Sequence, residues 1–218
     1  VAGGLFARRA LLLLRLVRMG KPVDRSDDVA ARVRNEAVLV LGQRKLLQRL
    51  VPGLMHAFIF WGFLVLFPTI ILAGIDVAGG HVTPWHWYRV LSDVFAVLVL
   101  AGVATALVIR LVVRPARFVG SHTGEGYFIL ALIALVVITL LLWHHVGGVG
   151  FAWAHLVSIG VFLAYIQYSK HLHIGTAAVN VWMARTRKRG RLEPLRFDVP
   201  DDELRFGVAT IADLTRKE

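Results

Sequence analysis

Histidine is the residue type whose placement in this sequence could support chemistry. Seven of the nine histidines fall in or beside long apolar runs, namely His56, His86, His144, His145, His155, His171 and His173. An ionisable side chain within a membrane-spanning segment is costly and indicates a functional site by default. Neutral imidazoles projecting inward from facing helices commonly provide the two axial ligands of a b-type haem. The histidines therefore predict a haem site or a proton-handling site.

The spacing of the histidines favours two of them as a ligand pair. His56 lies near the start of the second apolar span and His173 near the end of the fifth, so we expect both at the same depth in the bilayer. His155 precedes His173 by 18 residues, which is five turns of helix and places the two on one face about 27 Å apart. We predict one haem between His56 and His173, and a second near His155.

The second ligand at His155 is left open by the sequence. Ten residues after His56, the second span carries Leu66 and not a histidine. His144 and His145 are the candidates at the end of the fourth span, and at most one could face His155 because neighbouring helical residues diverge by about 100°. Alternatively, these two histidines handle protons, bind a quinone or simply lie at the membrane interface.

Two further residues also allow a functional and a structural interpretation. His171 is the substitute ligand for His173 if the helix unwinds near its end, and otherwise caps carbonyl groups or contacts lipid phosphate. Asp93, near the start of the third span, could exchange protons with a quinone. It could equally be an acid at a helix N-terminus, where the helix dipole favours negative charge.

The composition predicts the fold class. Of the 218 residues 57% are hydrophobic, against roughly 45–50% in soluble domains. Uncharged apolar runs cover residues 54–75, 94–109, 127–143 and 151–169. With their flanks, these runs reach the ~20 residues that a membrane-spanning helix needs. We predict an all-α transmembrane helical bundle with four complete spans plus the end of a first helix.

Charge and polarity divide the chain into segments. The end of a first transmembrane helix, whose upstream part is missing, is expected before a cytoplasmic connector with a surface helix, a four-span haem-binding domain and a cytoplasmic tail. These segments are residues 1–17, 18–51, 52–173 and 174–218. The surface helix is expected over residues 29–50, with helix caps offered by the acidic stretch at residues 24–28.

The distribution of charge orients the chain and excludes some functions. The net charge is +11, and 24 of the 25 Lys and Arg residues fall on one side when the spans alternate. This asymmetry predicts that the basic side and the C-terminus are cytoplasmic, and that the basic residues face lipid rather than nucleic acid. Because the sequence has no cysteine, this chain itself holds no disulfide, iron–sulfur cluster or covalent c-type haem.

Three stretches of the sequence resemble the membrane domain of the nitrate reductase gamma-subunit-like cytochromes b. They are His56-Ala57-Phe58-Ile59-Phe60-Trp61-Gly62-Phe63, Trp153-Ala154-His155, and Ser169-Lys170-His171-Leu172-His173-Ile174 followed by Asn180. The similarity is closest to the version fused to a heterodisulfide-reductase-like iron–sulfur region. Membrane-bound electron-transfer-flavoprotein dehydrogenases are examples of that version.

The resemblance implies a five-helix membrane module with one or two b haems, held by histidines of the second and fifth helices. It implies that His56, His173 and His155 are haem ligands. Leu66 departs from the family, which has a second histidine at this position of the second span. Such modules relay electrons between a cytoplasmic iron–sulfur or flavoprotein partner and menaquinone or ubiquinone in the bacterial inner membrane. In the fused family the tail at residues 174–218 would lead toward an iron–sulfur region.

Two other functions are alternatives to electron transfer. A small proton- or metal-coupled transporter would use the histidines to carry protons or bind a metal, and predicts charged or polar residues at the middle of the spans. The middle of each span is almost entirely apolar and the histidines lie near the span ends, which favours electron transfer. A passive anchor that only tethers a partner to the bilayer is the third possibility.

Overall fold

The structure, a computed structural model, describes residues 2–22, 24–80, 82–118, 123–186 and 200. Within these residues there is no β-strand, and the chain forms helices joined by turns. The described residues fall into two compact units, one of residues 3–22, 24–42 and 171–186 and one of residues 43–80, 82–118 and 123–170. Most of the predicted tail, residues 187–199 and 201–218, lies outside the described residues.

Seven α-helices occur in the described part of the chain. In chain order they are α1 (Ala2–Arg18), α2 (Val29–Asn35), α3 (Leu50–Val77), α4 (His86–Val108), α5 (Thr123–His145), α6 (Val149–Ile166) and α7 (His173–Trp182). Short π-helical segments, Glu36–Leu41 and Ile109–Val113, continue α2 and α4, and 3₁₀ turns cover Ala116–Phe118 and Lys170–Leu172.

Four helices of the unit at residues 43–170 are long and apolar enough to cross a membrane. They are α3, α4 with its π-helical continuation, α5 and α6. The predicted all-α fold with four spans is therefore confirmed. Helix α1 has 17 residues and includes Arg8, Arg9 and Arg15, and its predicted role as the end of an earlier span stays a prediction.

A buried face of α4 packs against both α5 and α3 in this unit. Ala96, Val99 and Val103 recur on one buried face of α4 and join residues of α5, including Ile129, in a common core. On the α3 side, a Cβ added to Gly62 would meet Cγ2 of Val99 at 2.1 Å. Gly62 therefore lets α3 and α4 approach closely, as small residues do between membrane helices.

A glycine turn brings the ends of two helices together. Gly147 and Gly148 join α5 to α6 with φ angles of 79° and 94°, which residues with a Cβ rarely adopt. The amides of Val146 and Gly147 both donate to the carbonyl of Leu142, which completes the last turn of α5. Since the turn is this short, the end of α5 and the start of α6 lie at the same end of the unit.

The helix predicted to continue from His155 to His173 is interrupted. Helix α6 ends at Ile166 and α7 starts only at His173. In the break, Gln167 Nε2 donates to the Ala164 carbonyl at 3.1 Å and Ser169 Oγ to the Ile166 carbonyl at 3.0 Å. These side chains compete with the backbone for helical carbonyls. The five-turn spacing that placed His155 and His173 on one face was therefore wrong.

The predicted surface helix is also shorter than expected, because α2 ends at Asn35 and gives way to the π-helical segment. Its predicted acidic cap is confirmed, since Asp28 accepts a hydrogen bond from the amide of Ala31. The buried Arg32 then joins α2 to the end of α7. Its guanidinium donates to the carbonyls of Trp182 and Ala184.

Candidate functional site

His56 is held by a buried glutamine at the start of the unit at residues 43–170, which contains the four spans and is called the spanning unit below. Its Nδ1 lies 3.0 Å from Oε1 of Gln43, whose side chain is buried in the turn preceding α3. Gln43 has a φ angle of 47°, an uncommon backbone conformation for a residue with a side chain. With the amide oxygen as acceptor, Nδ1 carries the proton and Nε2 carries the lone pair.

This arrangement fits an imidazole that binds a metal. Histidines that ligate metals almost always donate their other ring N–H to a carboxylate, carbonyl or similar acceptor, which fixes the tautomer and the ring orientation. Gln43 supplies such an acceptor to His56. The donor chemistry at this position is therefore suitable for an axial ligand of haem iron.

The histidines of the last predicted motif belong to the other compact unit. His171 lies in the 3₁₀ turn Lys170–Leu172 and His173 is the first residue of α7. Their rings are 5.9 Å apart between centroids, with an interplanar angle of 47°. The choice between the two as the partner of His56 stays a prediction.

His155 is enclosed by three helices of the spanning unit. The side chain is 1% exposed. Nδ1 lies 3.0 Å from the Val136 carbonyl and 3.4 Å from Oγ1 of Thr139, both on α5. Nε2 lies 3.4 Å from Oγ1 of Thr69 on α3. Both ring nitrogens thus face oxygen atoms of neighbouring helices.

These surroundings do not fit a haem ligand. The Nδ1–H group can donate to Val136, but Nε2, the nitrogen that would bind iron, faces the Thr69 hydroxyl at 3.4 Å. A porphyrin and a second axial ligand would have to occupy that gap. Thr69, one helical turn after Leu66, therefore stands on α3 where the second ligand would be needed. The ligand role predicted for His155 stays a prediction that this geometry does not favour.

A carboxylate joins the two adjacent histidines at the end of α5. Oδ1 of Asp93 lies 2.7 Å from Nδ1 of His144, and Oδ2 lies 3.3 Å from Nε2 of His145. Asp93 is not in the first turn of α4, which begins at His86. The interpretation of Asp93 as an acid at a helix N-terminus was therefore wrong, and its side chain instead links α4 to α5.

Trp143 lies between this cluster and His155. Its ring stacks on His155 at 6.3 Å between centroids and lies 5.6 Å from the ring of His144. Its indole N–H donates to Oδ2 of Asp76, near the end of α3, at 3.1 Å. One turn of α5 thus brings two carboxylates and three imidazoles to the same end of the unit.

Several residues of these sites were not singled out from the sequence. Gln43 lies in the polar connector, where no spacing rule connects it to His56. Thr69 and Thr139 are ordinary polar residues within apolar spans. The position of Thr69 could have been inferred from the sequence. It lies three residues after Leu66, and residues three positions apart share a face of a helix.

Two curated relatives are similar to the chain. EtfAB:quinone oxidoreductase from Syntrophomonas wolfei subsp. wolfei is 30% identical over 122 residues, which cover 53% of this chain and 17% of the relative. The probable iron-sulfur-binding oxidoreductase FadF from Bacillus subtilis is 25% identical over 245 aligned residues, covering 94% of this chain and 34% of the relative. Both are oxidoreductases. The chain spans about a third or less of their length.

No family model matches the chain. No solved structure matches it either. The relatives support an association of the chain with oxidoreductases. The four apolar helices make it a multi-pass membrane protein.

Proposed function

We propose that the chain is the membrane module of a quinone-linked oxidoreductase and relays electrons between an iron–sulfur or flavoprotein partner and menaquinone or ubiquinone. In this proposal it binds one b-type haem, with His56 as one axial ligand and His173 as the other. The membrane is the bacterial inner membrane, and the basic side with the C-terminus is cytoplasmic. The two relatives support the association with oxidoreductases.

The hydrogen bond between His56 and Gln43 is the observation that carries the haem assignment. The buried amide oxygen of Gln43 holds the ring of His56 in the tautomer that carries the proton on Nδ1. A second-sphere acceptor of this kind commonly accompanies metal-binding imidazoles. The motif that contains His173 supplies the predicted partner from the resemblance to the gamma-subunit-like cytochromes b.

The chemistry of electron transfer would belong to the cofactor. A b-type haem exchanges one electron at a time, which suits transfer between one-electron iron–sulfur donors and a two-electron quinone. The residues of this chain would contribute the ligand nitrogen of His56 and the acceptor on Gln43 that makes that nitrogen more basic.

A proton-coupled transporter is less well supported by the arrangement of buried polar residues. The hydroxyls of Ser92, Ser158 and Thr139 donate to backbone carbonyls of their own helices. Such bonds satisfy single hydroxyls locally and do not form a continuous polar route across the described spans. The passive anchor remains the alternative that an absence of haem would favour.

A reduced-minus-oxidised visible spectrum of the purified chain, expressed with a supply of haem, tests the proposal. We expect the α-band of a six-coordinate b-type haem, with one haem per chain. No α-band in the wild-type protein would contradict the proposal.

Single substitutions then identify the ligands. His56→Ala and His173→Ala should each abolish haem binding, because removing an axial ligand opens the coordination sphere. His171→Ala is the matched control beside His173, and it should keep the wild-type spectrum. If His171→Ala loses the haem and His173→Ala keeps it, the assignment moves to His171.

A further inference from the structure

A cavity at the start of α3 has no role in the proposed haem site. Its volume is about 480 Å³, and its lining residues are Lys45, Leu46, Gln48, Arg49 and Pro52. These residues are exposed or half-buried, so a ligand can enter from the surface of the spanning unit. We propose that the cavity binds the phosphate group of an anionic phospholipid. This binding goes beyond the proposed function and does not depend on haem.

The cavity is built by a tight turn that packs against α3. The carbonyl of Gln43 accepts the amides of Leu46 and Leu47 at 2.9 Å and 3.0 Å. A Cβ added to Gly53 would lie 2.5 Å from the carbonyl oxygen of Leu46, so glycine is needed where the turn meets the helix. The side chains that line the cavity are therefore placed by a hydrogen-bonded backbone in direct contact with α3.

The cavity carries positive charge that no carboxylate balances. Lys45 and Arg49 line it, and Arg44 lies in the same turn. The sequence contains no acidic residue between Glu36 and Asp76. Within the described part of the chain, neither Lys45 nor Arg49 forms an ion pair or a side-chain hydrogen bond. The partner that these two charges lack is therefore an anion from outside the protein.

The types of the lining side chains suit phosphate. The guanidinium of Arg49 presents parallel N–H groups that match two phosphate oxygens, and the ammonium of Lys45 binds a third oxygen as a point charge. The amide of Gln48 offers two further N–H donors. A phosphodiester can thus receive donors from all three polar side chains of the cavity.

The apolar side chains at this place favour a phospholipid over a soluble phosphate. Leu46, which lines the cavity, is 44% exposed, and Leu50 and Val51 in the first turn of α3 are 66% and 60% exposed. Helix α3 is long and apolar enough to cross a membrane. A lipid at the start of such a helix presents its phosphate to the basic residues and its acyl chains to the apolar ones. Soluble phosphate would leave these apolar side chains in water.

Native mass spectrometry of the purified full chain with added lipid tests the inference. Phosphatidylglycerol and phosphatidylcholine with identical acyl chains are compared at equal concentrations. We expect the wild type to bind its first phosphatidylglycerol more tightly than phosphatidylcholine. Lys45→Gln and Arg49→Gln should each weaken phosphatidylglycerol binding about fivefold, the contribution of one basic residue beside anionic lipid. Binding of phosphatidylcholine should not change.

Arg44→Gln is the matched control for Arg49→Gln, because it removes the same charge from the same turn but does not line the cavity. It should keep the preference of the wild type for phosphatidylglycerol. Equal phosphatidylglycerol affinity in Arg49→Gln and Arg44→Gln would overturn the inference, and so would a wild type without any preference between the two lipids. If Arg49→Gln does not fold, Lys45→Gln is compared with Arg44→Gln by the same criterion.

Glycerol 3-phosphate, which carries the phosphate group without acyl chains, distinguishes a lipid from a soluble anion. At a concentration equal to that of phosphatidylglycerol it should not displace the bound lipid from the wild type. Displacement at equal concentrations would show that the cavity binds soluble phosphate, and the assignment to a phospholipid would be wrong.

Discussion

Nε2 of His155 on α6 lies 3.4 Å from Oγ1 of Thr69 on α3. The hydroxyl of Thr69 also donates to the Leu66 carbonyl of its own helix at 2.6 Å. The residue nearest to this imidazole on α3 is therefore a threonine tied to its own backbone. This contact bears on the role of His155, the first histidine of the fifth predicted span.

We expect His155→Ala to keep one haem per chain. The substitution should instead destabilise the protein by about 2–4 kcal/mol, because it removes a large buried side chain and leaves a cavity. Haem quantitation and a thermal unfolding curve measure the two effects. Loss of one haem from a wild-type protein that binds two would contradict this expectation and restore His155 as a ligand.

The acceptor beside His56 should control how tightly the haem is held. Gln43→Leu should weaken haem affinity about 10- to 100-fold, the range found when such an outer partner of a metal ligand is lost. Gln43→Glu should keep the haem and make its midpoint potential more negative, because a carboxylate acceptor makes the imidazole more electron-rich. Haem titration and a redox titration provide these readouts. Equal affinity in Gln43→Leu and the wild type would show that the hydrogen bond has no role in ligation.

Gly62 should be far less tolerant of a methyl group than Gly160. A Cβ at Gly62 would lie 2.1 Å from Val99, whereas one at Gly160 would meet no atom within 4 Å. Gly62→Ala should therefore cost about 1–3 kcal/mol, as overpacking does. Gly160→Ala should be neutral or stabilising by up to about 1 kcal/mol, since alanine favours a helix over glycine. Thermal unfolding of both variants in the same detergent compares them, and equal midpoints would contradict the close α3–α4 contact.

Acid should loosen the unit that contains α2 and α7. The hydrogen bond from Arg32, at 2.5 Å, holds the pKa of Asp27 below its ordinary value. Because the folded pKa is the lower one, the stabilisation is complete above the unfolded pKa of about 3.9 and is lost as pH falls through the folded pKa. Limited proteolysis should show cleavage near α2 increasing over this acidic range.

Asp27→Asn provides the control for this pH dependence. It should be cleaved more readily at neutral pH and should show a weaker dependence on acid, because the carboxylate is missing at every pH. An identical acid profile in Asp27→Asn and the wild type would mean that another group, such as Asp24 with its lowered pKa beside Ser26, is responsible.

The fold was largely predictable because lipid imposes a simple rule. A span must satisfy its own backbone hydrogen bonds and present apolar side chains, so four long uncharged runs could hardly be anything but helices. The prediction failed where polar side chains intervened. Gln167 and Ser169 bond to carbonyls of their own helix, and the apolar pattern gave no sign that the helix would stop there.

The candidate sites were predictable in part. Histidine placement indicated His56, and the sequence placed His144 and His145 at the end of a span. Their partners could not be read from spacing, because Gln43 and Asp93 come from other segments of the chain. The suggestion that Asp93 handles protons was one of two interpretations, and the helix start at His86 removed the other.

The sequence by itself determined the number of spans, the helical class and the residue types available for chemistry, because these follow from local composition and from the cost of placing polar groups in lipid. Only the tertiary structure decided which oxygen faces each imidazole. The hydrogen bond from His56 to Gln43, the enclosure of His155 by Thr69 and Val136, and the link between His144 and Asp93 all join different helices or turns. Such contacts depend on how helices rotate and approach, which is fixed by packing at positions such as Gly62 rather than by the pattern of any single span.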